Sequence, residues 1–168
     1  NIDHGYVHKI EDFHFIEGIF ELTREAIKKG YLVFVITNQA GIGRGLYNVS
    51  DFNILTDWMC NKFVDEGVII SKVYFSPYHS IHGKGKYKKD HNSRKPNSGM
   101  IYQAVEEYNI DLSKSVLIGD KFTDIEAGVN AEIGTNILFE KTKTNNISEL
   151  NYCSIESLDN AKIFLKDD

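Results

Sequence analysis

Three short stretches of this chain hold residue types that suit chemistry on a phosphate. The first is Ile36-Thr37-Asn38-Gln39-Ala40-Gly41-Ile42-Gly43-Arg44-Gly45. A hydroxyl, two amides and a run of small residues can surround a phosphate with side-chain and backbone donors. The same letters also suit a plain turn feeding a helix. They are no dinucleotide fingerprint, because Leu46 stands where G-x-G-x-x-G counted from Gly41 needs its last glycine. The second stretch is Arg94-Lys95-Pro96. Its lysine suits a transferring phosphoryl group as a point charge, and its arginine suits a second phosphate or a sugar held by two parallel hydrogen bonds. A solvated basic pair is the commoner fate of such residues. Lys84, Lys86, Lys88 and Lys89 read as solvated loop charge that mildly steers anions. The third stretch is Leu117-Ile118-Gly119-Asp120-Lys121-Phe122-Thr123-Asp124. A carboxylate right after a buried strand, with another four positions on, suits a hard cation such as Mg²⁺. A helix cap and an ion pair with Lys121 would account for one of these carboxylates, less economically for both.

The elements that must position these stretches alternate. Ile19, Leu22, Ala26 and Ile27 recur at helical spacing, with Gly30 as the stop. Tyr31 to Thr37 is a β-branched and aromatic run of buried-strand length. Ser50 is placed to cap a helix whose Phe52, Leu55, Met59 and Phe63 share a face, and Gly67 ends it. Val68 to Phe75 reads as a strand, followed by an irregular polar stretch, Ser76 to Ser98, with both prolines, Pro77 and Pro96. A helix from about Gly99 to Tyr108, a strand at Ser115 to Ile118, a helix at Thr123 to Ala131 and a strand at Thr135 to Phe139 come next. A last strand near Cys153 precedes a helix with Leu158, Ala161, Phe164 and Leu165. Such alternation predicts a mostly parallel sheet with helices on both faces, and working residues just past the carboxyl ends of its strands.

Composition narrows the classes. A net charge of -5 offers no basic field for nucleic acid, and the longest apolar runs, such as Tyr31 to Ile36, are far too short to span a membrane. Cys60 and Cys153 lack any CxxC spacing and read as two buried thiols in a reducing cytosol. One domain over residues 1–168, with an irregular loop insert at about 76–98, is the expected organisation.

Thr37, Lys95, Asp120 and Asp124 lie at the ends of successive βα units in the order used by phosphatases of the haloacid dehalogenase superfamily, which the chain resembles over nearly its whole length. Asp3-His4-Gly5-Tyr6-Val7-His8, Thr37-Asn38-Gln39, Arg94-Lys95-Pro96 and Gly119-Asp120-Lys121 resemble the heptose 1,7-bisphosphate phosphatase branch, with histidinol-phosphate phosphatases as the neighbouring alternative. A phosphosugar-binding module without catalysis is the competing class. The resemblance implies a Rossmann-like three-layer α/β/α fold and an aspartyl-phosphate mechanism in a cytoplasmic, monomeric enzyme of heptose and lipopolysaccharide-precursor synthesis. Its partner would be a small sugar bisphosphate. Thr37 and Lys95 would be the catalytic groups present, stabilising the phosphoryl oxygens. Asp3, His4, Gly5, Tyr6, Asn38, Gln39, Ala40, Arg94 and Lys121 would join them in binding substrate. Asp120, and after it Asp124, would hold Mg²⁺.

The sequence departs from that pattern in two places. The Asp-x-Asp pair, nucleophile and acid/base, ends the first central strand in the family, just ahead of the segment that here begins at Asn1. None of the 168 residues supplies the pair, so this chain is expected to lack that strand and to be inactive alone. Many relatives also hold a structural zinc by three cysteines and a histidine. The matching positions here are Ser76, Tyr78, His91 and Ser93, and no zinc is expected, even with His79 and His82 nearby.

Overall fold

The computed structural model describes residues 2, 5–140 and 150–167. Helix α1 (Ile19–Lys28) buries Leu22, Thr23 and Ala26, and leads through Gly30 into strand β1 (Val33–Asn38). A five-residue helix, α2 (Ala40–Arg44), follows at once, and then α3 (Val49–Asp65). The cap of α3 is Asn48, not Ser50 as its sequence suggests. Asn48 Oδ1 accepts from the Asp51 amide at 3.0 Å while Asp51 Oδ2 accepts from the Asn48 amide at 2.9 Å. Both ends of this box satisfy orphan donors, which outweighs a lone serine hydroxyl.

Strand β2 (Ile70–Ser76), helix α4 (Gly99–Tyr108), strand β3 (Val116–Gly119), helix α5 (Phe122–Asn130), strand β4 (Thr135–Phe139) and strand β5 (Cys153–Ile155) complete the frame. The expected last helix is a 3₁₀ turn over Leu158–Phe164. It buries Leu158 and Ala161 against α1. Cys153 is exposed on β5 and Cys60 half-buried, so the reading of two buried thiols is corrected.

Side chains alternate across the strands to two helical layers. Val116, Ile118 and Ile137 face α1 and the 3₁₀ turn, whereas Leu117 and Leu138 face Ile101 of α4 and Ile125 of α5. Likewise Val73 and Phe75 meet Phe52 of α3, and Tyr74 meets Met100 and Ala104 of α4. That period of two is what a parallel sheet covered on both faces requires.

Every strand pairing is parallel, but the strands form two groups: β2 with β1, and β3-β4-β5. The division falls between β1 and β3. β4, bonded on both sides, buries Asn136, Ile137 and Leu138, while all six residues of β1 remain half-exposed. The Gln39 amide continues the β1–β2 ladder to the Ser76 carbonyl at 2.7 Å. By the alternation of a parallel strand, the Ile36 carbonyl turns to the opposite edge, where Lys95 Nζ donates to it at 2.8 Å.

The segment before α1 is held by aromatic packing. Phe13 and Phe15 lie against Trp58 with ring centroids 5.7 Å apart, and Phe15 also packs against Phe20 and Phe63. Further back in this segment the His8 ring stacks on Tyr47, between α2 and α3, at 4.8 Å.

Candidate active site

Lys95 lies where the two groups of strands meet. Its ammonium is 2.7 Å from Asp124 Oδ1 and donates to the Ile36 carbonyl, so one side chain ties β1 to α5. The two charged side chains are only 11% and 9% exposed, a setting in which an ion pair needs further hydrogen bonds to offset its desolvation. Those bonds are present. Asp124 Oδ2 accepts from the Lys121 amide at 3.1 Å, capping α5. Gly119 lets this happen, because a Cβ there would lie 2.3 Å from the Cβ of Asp124.

The Lys95 peptide is fixed as firmly as its side chain. Asn38 Nδ2 donates to the Lys95 carbonyl and Asn38 Oδ1 accepts from the Lys95 amide, both at 3.0 Å. The next residue, Gln39, works on Thr37. Tyr47 donates to Gln39 Oε1 at 2.5 Å, which leaves Gln39 Nε2 to donate to Thr37 Oγ1 at 3.0 Å. Since Thr37 Oγ1 accepts there, its own O–H remains to donate elsewhere, as a phosphoryl oxygen requires. Burial, helped by the neighbouring Tyr6, pushes the Tyr47 phenol up to about 12, so it stays a donor at neutral pH.

Of the residues the sequence singles out, Asn38, Lys95 and Asp124 therefore form one bonded set and Thr37 and Gln39 a second beside it at the end of β1, and Ala40 is buried at the start of α2. Lys121 precedes α5 as its cap. Asp120 follows β3, exposed, with no hydrogen bond or ion pair to a described residue. Asp3 and His4 lie outside the described residues. Gly5 and Tyr6 turn through left-handed backbone, φ 76° and 53°, and Arg94 donates to the Tyr78 carbonyl at 3.1 Å. Sequence reasoning missed Tyr47 and Arg44. Arg44 donates to the Tyr6 hydroxyl at 2.5 Å, with its guanidinium 5.2 Å from the ring centroid. Arg44 stands in the run of small residues after β1, and Tyr47 two positions past that run.

Mg²⁺ takes hard oxygen donors and commonly needs only one or two carboxylates beside water and substrate phosphate. The Asp120 carboxylate at the end of β3, without a bond to any described residue, fits that demand. Asp124 is already engaged by Lys95.

The four positions matched to a zinc site do come together, bonded to one another. The hydroxyls of Ser93 and Ser76 lie 3.0 Å apart, His91 Nδ1 is 2.8 Å from Ser93 Oγ, and the Tyr78 and His91 rings stack at 3.9 Å. His79 Nδ1 accepts from the amides of Ile81 and His82. No group of three or more potential metal ligands lies among the described residues.

A family described as HAD-hydrolase-like matches residues 92–150. The chain is 52% identical over 138 residues to the D-glycero-alpha-D-manno-heptose-1,7-bisphosphate 7-phosphatase of Burkholderia mallei, covering 82% of this chain and 73% of the relative. It is 46% identical over 143 residues to the D-glycero-beta-D-manno-heptose-1,7-bisphosphate 7-phosphatase of Vibrio cholerae, covering 85% and 77%. Among solved structures, a HAD-like protein from Mesorhizobium loti aligns with TM-score 0.86 and 26% identity, over 100% of this chain and 83% of that one. The D,D-heptose 1,7-bisphosphate phosphatase of B. bronchiseptica, complexed with magnesium and phosphate, shares the fold with TM-score 0.80 and 22% identity, over 96% and 88%. At these identities over more than two thirds of each chain, the chain belongs to the heptose-1,7-bisphosphate 7-phosphatase family of haloacid dehalogenase-like hydrolases.

Proposed function

We propose that this chain forms the phosphoryl-binding body of a Mg²⁺-dependent phosphatase. Its substrate is D-glycero-D-manno-heptose 1,7-bisphosphate and the phosphate removed is that on C7. The observation that carries the reading is the bonding of Lys95 to Asp124 and to the Ile36 carbonyl across the division of the sheet, at the strand end where Gln39 holds Thr37. In it the Thr37 hydroxyl and the Lys95 ammonium receive the phosphoryl oxygens, and charge that builds on those oxygens meets donors already in place. Asp124 and the Ile36 carbonyl set where the ammonium stands, and Asn38 sets the backbone beneath it. Asp120, and after it Asp124, would hold Mg²⁺, which would supply further Lewis-acid neutralisation of the phosphoryl group.

The attacking aspartate and the acid/base belong to an Asp-x-Asp that these 168 residues do not contain. The division between β1 and β3 is where a strand ending in that pair fits. A fusion that places such a strand, ending Asp-x-Asp-Gly-Thr, ahead of Asn1 allows the reading to be tested. With Mg²⁺, its kcat/KM for the heptose bisphosphate should exceed that for histidinol phosphate by about a hundredfold or more, the discrimination open to a site with dedicated polar contacts. A preference for histidinol phosphate would transfer the assignment to that class.

A further inference from the structure

We propose that the loop after β2 is a docking surface for an anionic lipid bilayer, with Lys84, Lys86, Lys88 and Lys89 at the headgroups and Ile81 and Leu46 entering the boundary beneath them. The inference is independent of the substrate reading above and concerns side chains to which that reading gives no role. Between Glu66 and Glu106 the only carboxylate is Asp90, in a chain whose net charge is -5. The same span holds seven lysines and arginines, four of them from Lys84 to Lys89. These four are exposed, and none has a carboxylate within 4.0 Å among the described residues. An acidic chain that gathers unneutralised lysines on one loop has an uneven field, which turns that loop toward a surface of opposite charge.

The loop keeps its shape by its own bonds. The Gly83 amide donates to the His79 carbonyl at 3.0 Å, and the His79 amide to the Tyr87 carbonyl at 3.1 Å. Gly83 is buried in that turn, where a Cβ would lie 2.4 Å from the Tyr87 carbonyl oxygen. The half-buried rings of Tyr78 and Tyr87 pack edge to face, 5.8 Å apart. Lys89 Nζ lies 4.8 Å from the Tyr78 ring and Lys86 Nζ 5.1 Å from the Tyr87 ring. A ring face places an ammonium without neutralising it. Ile81, in the same turn, is 69% exposed, and Leu46 is 52% exposed. Lys84 joins the two: its amide donates to the Gly43 carbonyl at 2.7 Å, and its Nζ lies 3.9 Å from where a Cβ on Gly45, next to Leu46, would stand. Exposed aliphatic side chains set among lysines suit a bilayer boundary, because the lysine stems let the charges rise to the headgroups. A folded acidic partner would call for fixed geometry, which arginine forks and exposed aromatic anchors supply. Here the four cations are all lysines and the aromatic rings are turned inward, an arrangement that matches a fluid anionic surface.

Co-sedimentation of the 168-residue chain with vesicles of equimolar phosphatidylcholine and phosphatidylglycerol tests the assignment. The chain should bind these vesicles, should not bind phosphatidylcholine alone, and should be released as salt is raised. Lys86→Glu together with Lys88→Glu should weaken binding more than about tenfold, since each lysine near an anionic surface contributes roughly fivefold. Ile81→Ser should weaken it about threefold or more, through lost apolar burial rather than lost charge. Lys162→Glu, on the 3₁₀ turn after β5, should leave binding nearly unchanged. No retention on the anionic vesicles, equal retention on phosphatidylcholine alone, or a loss from Lys162→Glu as large as that from the loop variant would overturn the proposal. Capture by immobilised poly-glutamate without vesicle binding would assign the loop to an acidic protein and overturn it as well.

Discussion

Lys95 is held by more bonds than a charge on a loop needs, and that constraint is the argument for its role. Asp124 and Ile36 fix its ammonium, and Asn38 fixes both sides of its peptide. In the fusion that supplies Asp-x-Asp, Lys95→Ala should lower kcat about a hundredfold or more, the usual loss when one donor to a transition-state oxyanion is removed. Asn38→Ala should lower kcat by roughly tenfold, because it acts through the position of Lys95. The double variant should then be no slower than Lys95→Ala alone, since residues that work as a unit do not add. Additive losses would mean that Asn38 acts independently, as a substrate contact. The proposed roles of Thr37, Arg94 and Lys95 come from residue type and order. The use of Asn38 as a clamp on a lysine 57 positions away was not, because sequence spacing carries no record of which loops meet. Tyr47 was hidden for the same reason. Its raised pKa also bears on stability: the folded value of about 12 lies above the ordinary 10.0. Its contribution is therefore fully present below pH 10 and is lost as pH rises toward 12. Tyr47→Phe should flatten this alkaline loss, read by the fluorescence of Trp58 in urea at pH 8 and pH 11. An unchanged pH dependence would show that the phenol has the same pKa in the folded and unfolded states.

At the level of elements, periodicity located every strand and the four longer helices, with ends displaced by one or two residues. The misses have local causes. Asn48 replaced Ser50 as a cap because Asp51 returns the bond to its backbone. α2 was too short to show a period, and its conformation is imposed by tertiary contacts such as Tyr47 against Gly41. The loop after β2 was read as irregular, and its internal order comes from Ser76, Tyr78, His91 and Ser93. Two hydroxyls and a stacked imidazole stand at the positions matched to thiolate ligands, and bonds between these side chains can stabilise the loop without an ion. The purified protein should therefore carry no stoichiometric zinc by elemental analysis, and a chelator should leave its melting temperature unchanged. Ser76→Ala, which removes one of the two partners of the buried Ser93 hydroxyl and leaves it His91, should cost about 0.5–1.5 kcal/mol. About one zinc per chain, or melting lowered by chelator, would contradict this account of the loop.

For the molecule as a whole, the alternation of strands and helices was enough to indicate a parallel α/β fold, and the order of motifs indicated which one. The division of the sheet could be expected only from the resemblance, since no pattern within β1 or β3 says which strand runs beside it. The structure gives that expectation physical form. β1 and β3 are apolar strands without a mutual pairing, and Lys95 reaches across between their ends. On the proposed function, the phosphoryl-binding groups are assembled here and the nucleophile comes from a strand between β1 and β3. The most direct test follows release of phosphate from D-glycero-D-manno-heptose 1,7-bisphosphate by ³¹P NMR, with Mg²⁺, for the 168-residue chain and for the fusion bearing the Asp-x-Asp strand. The account predicts no release above background by the chain alone, and loss of the C7 phosphate in the fusion. Mg²⁺-dependent release by the chain alone, or release of the C1 phosphate by the fusion, would contradict it.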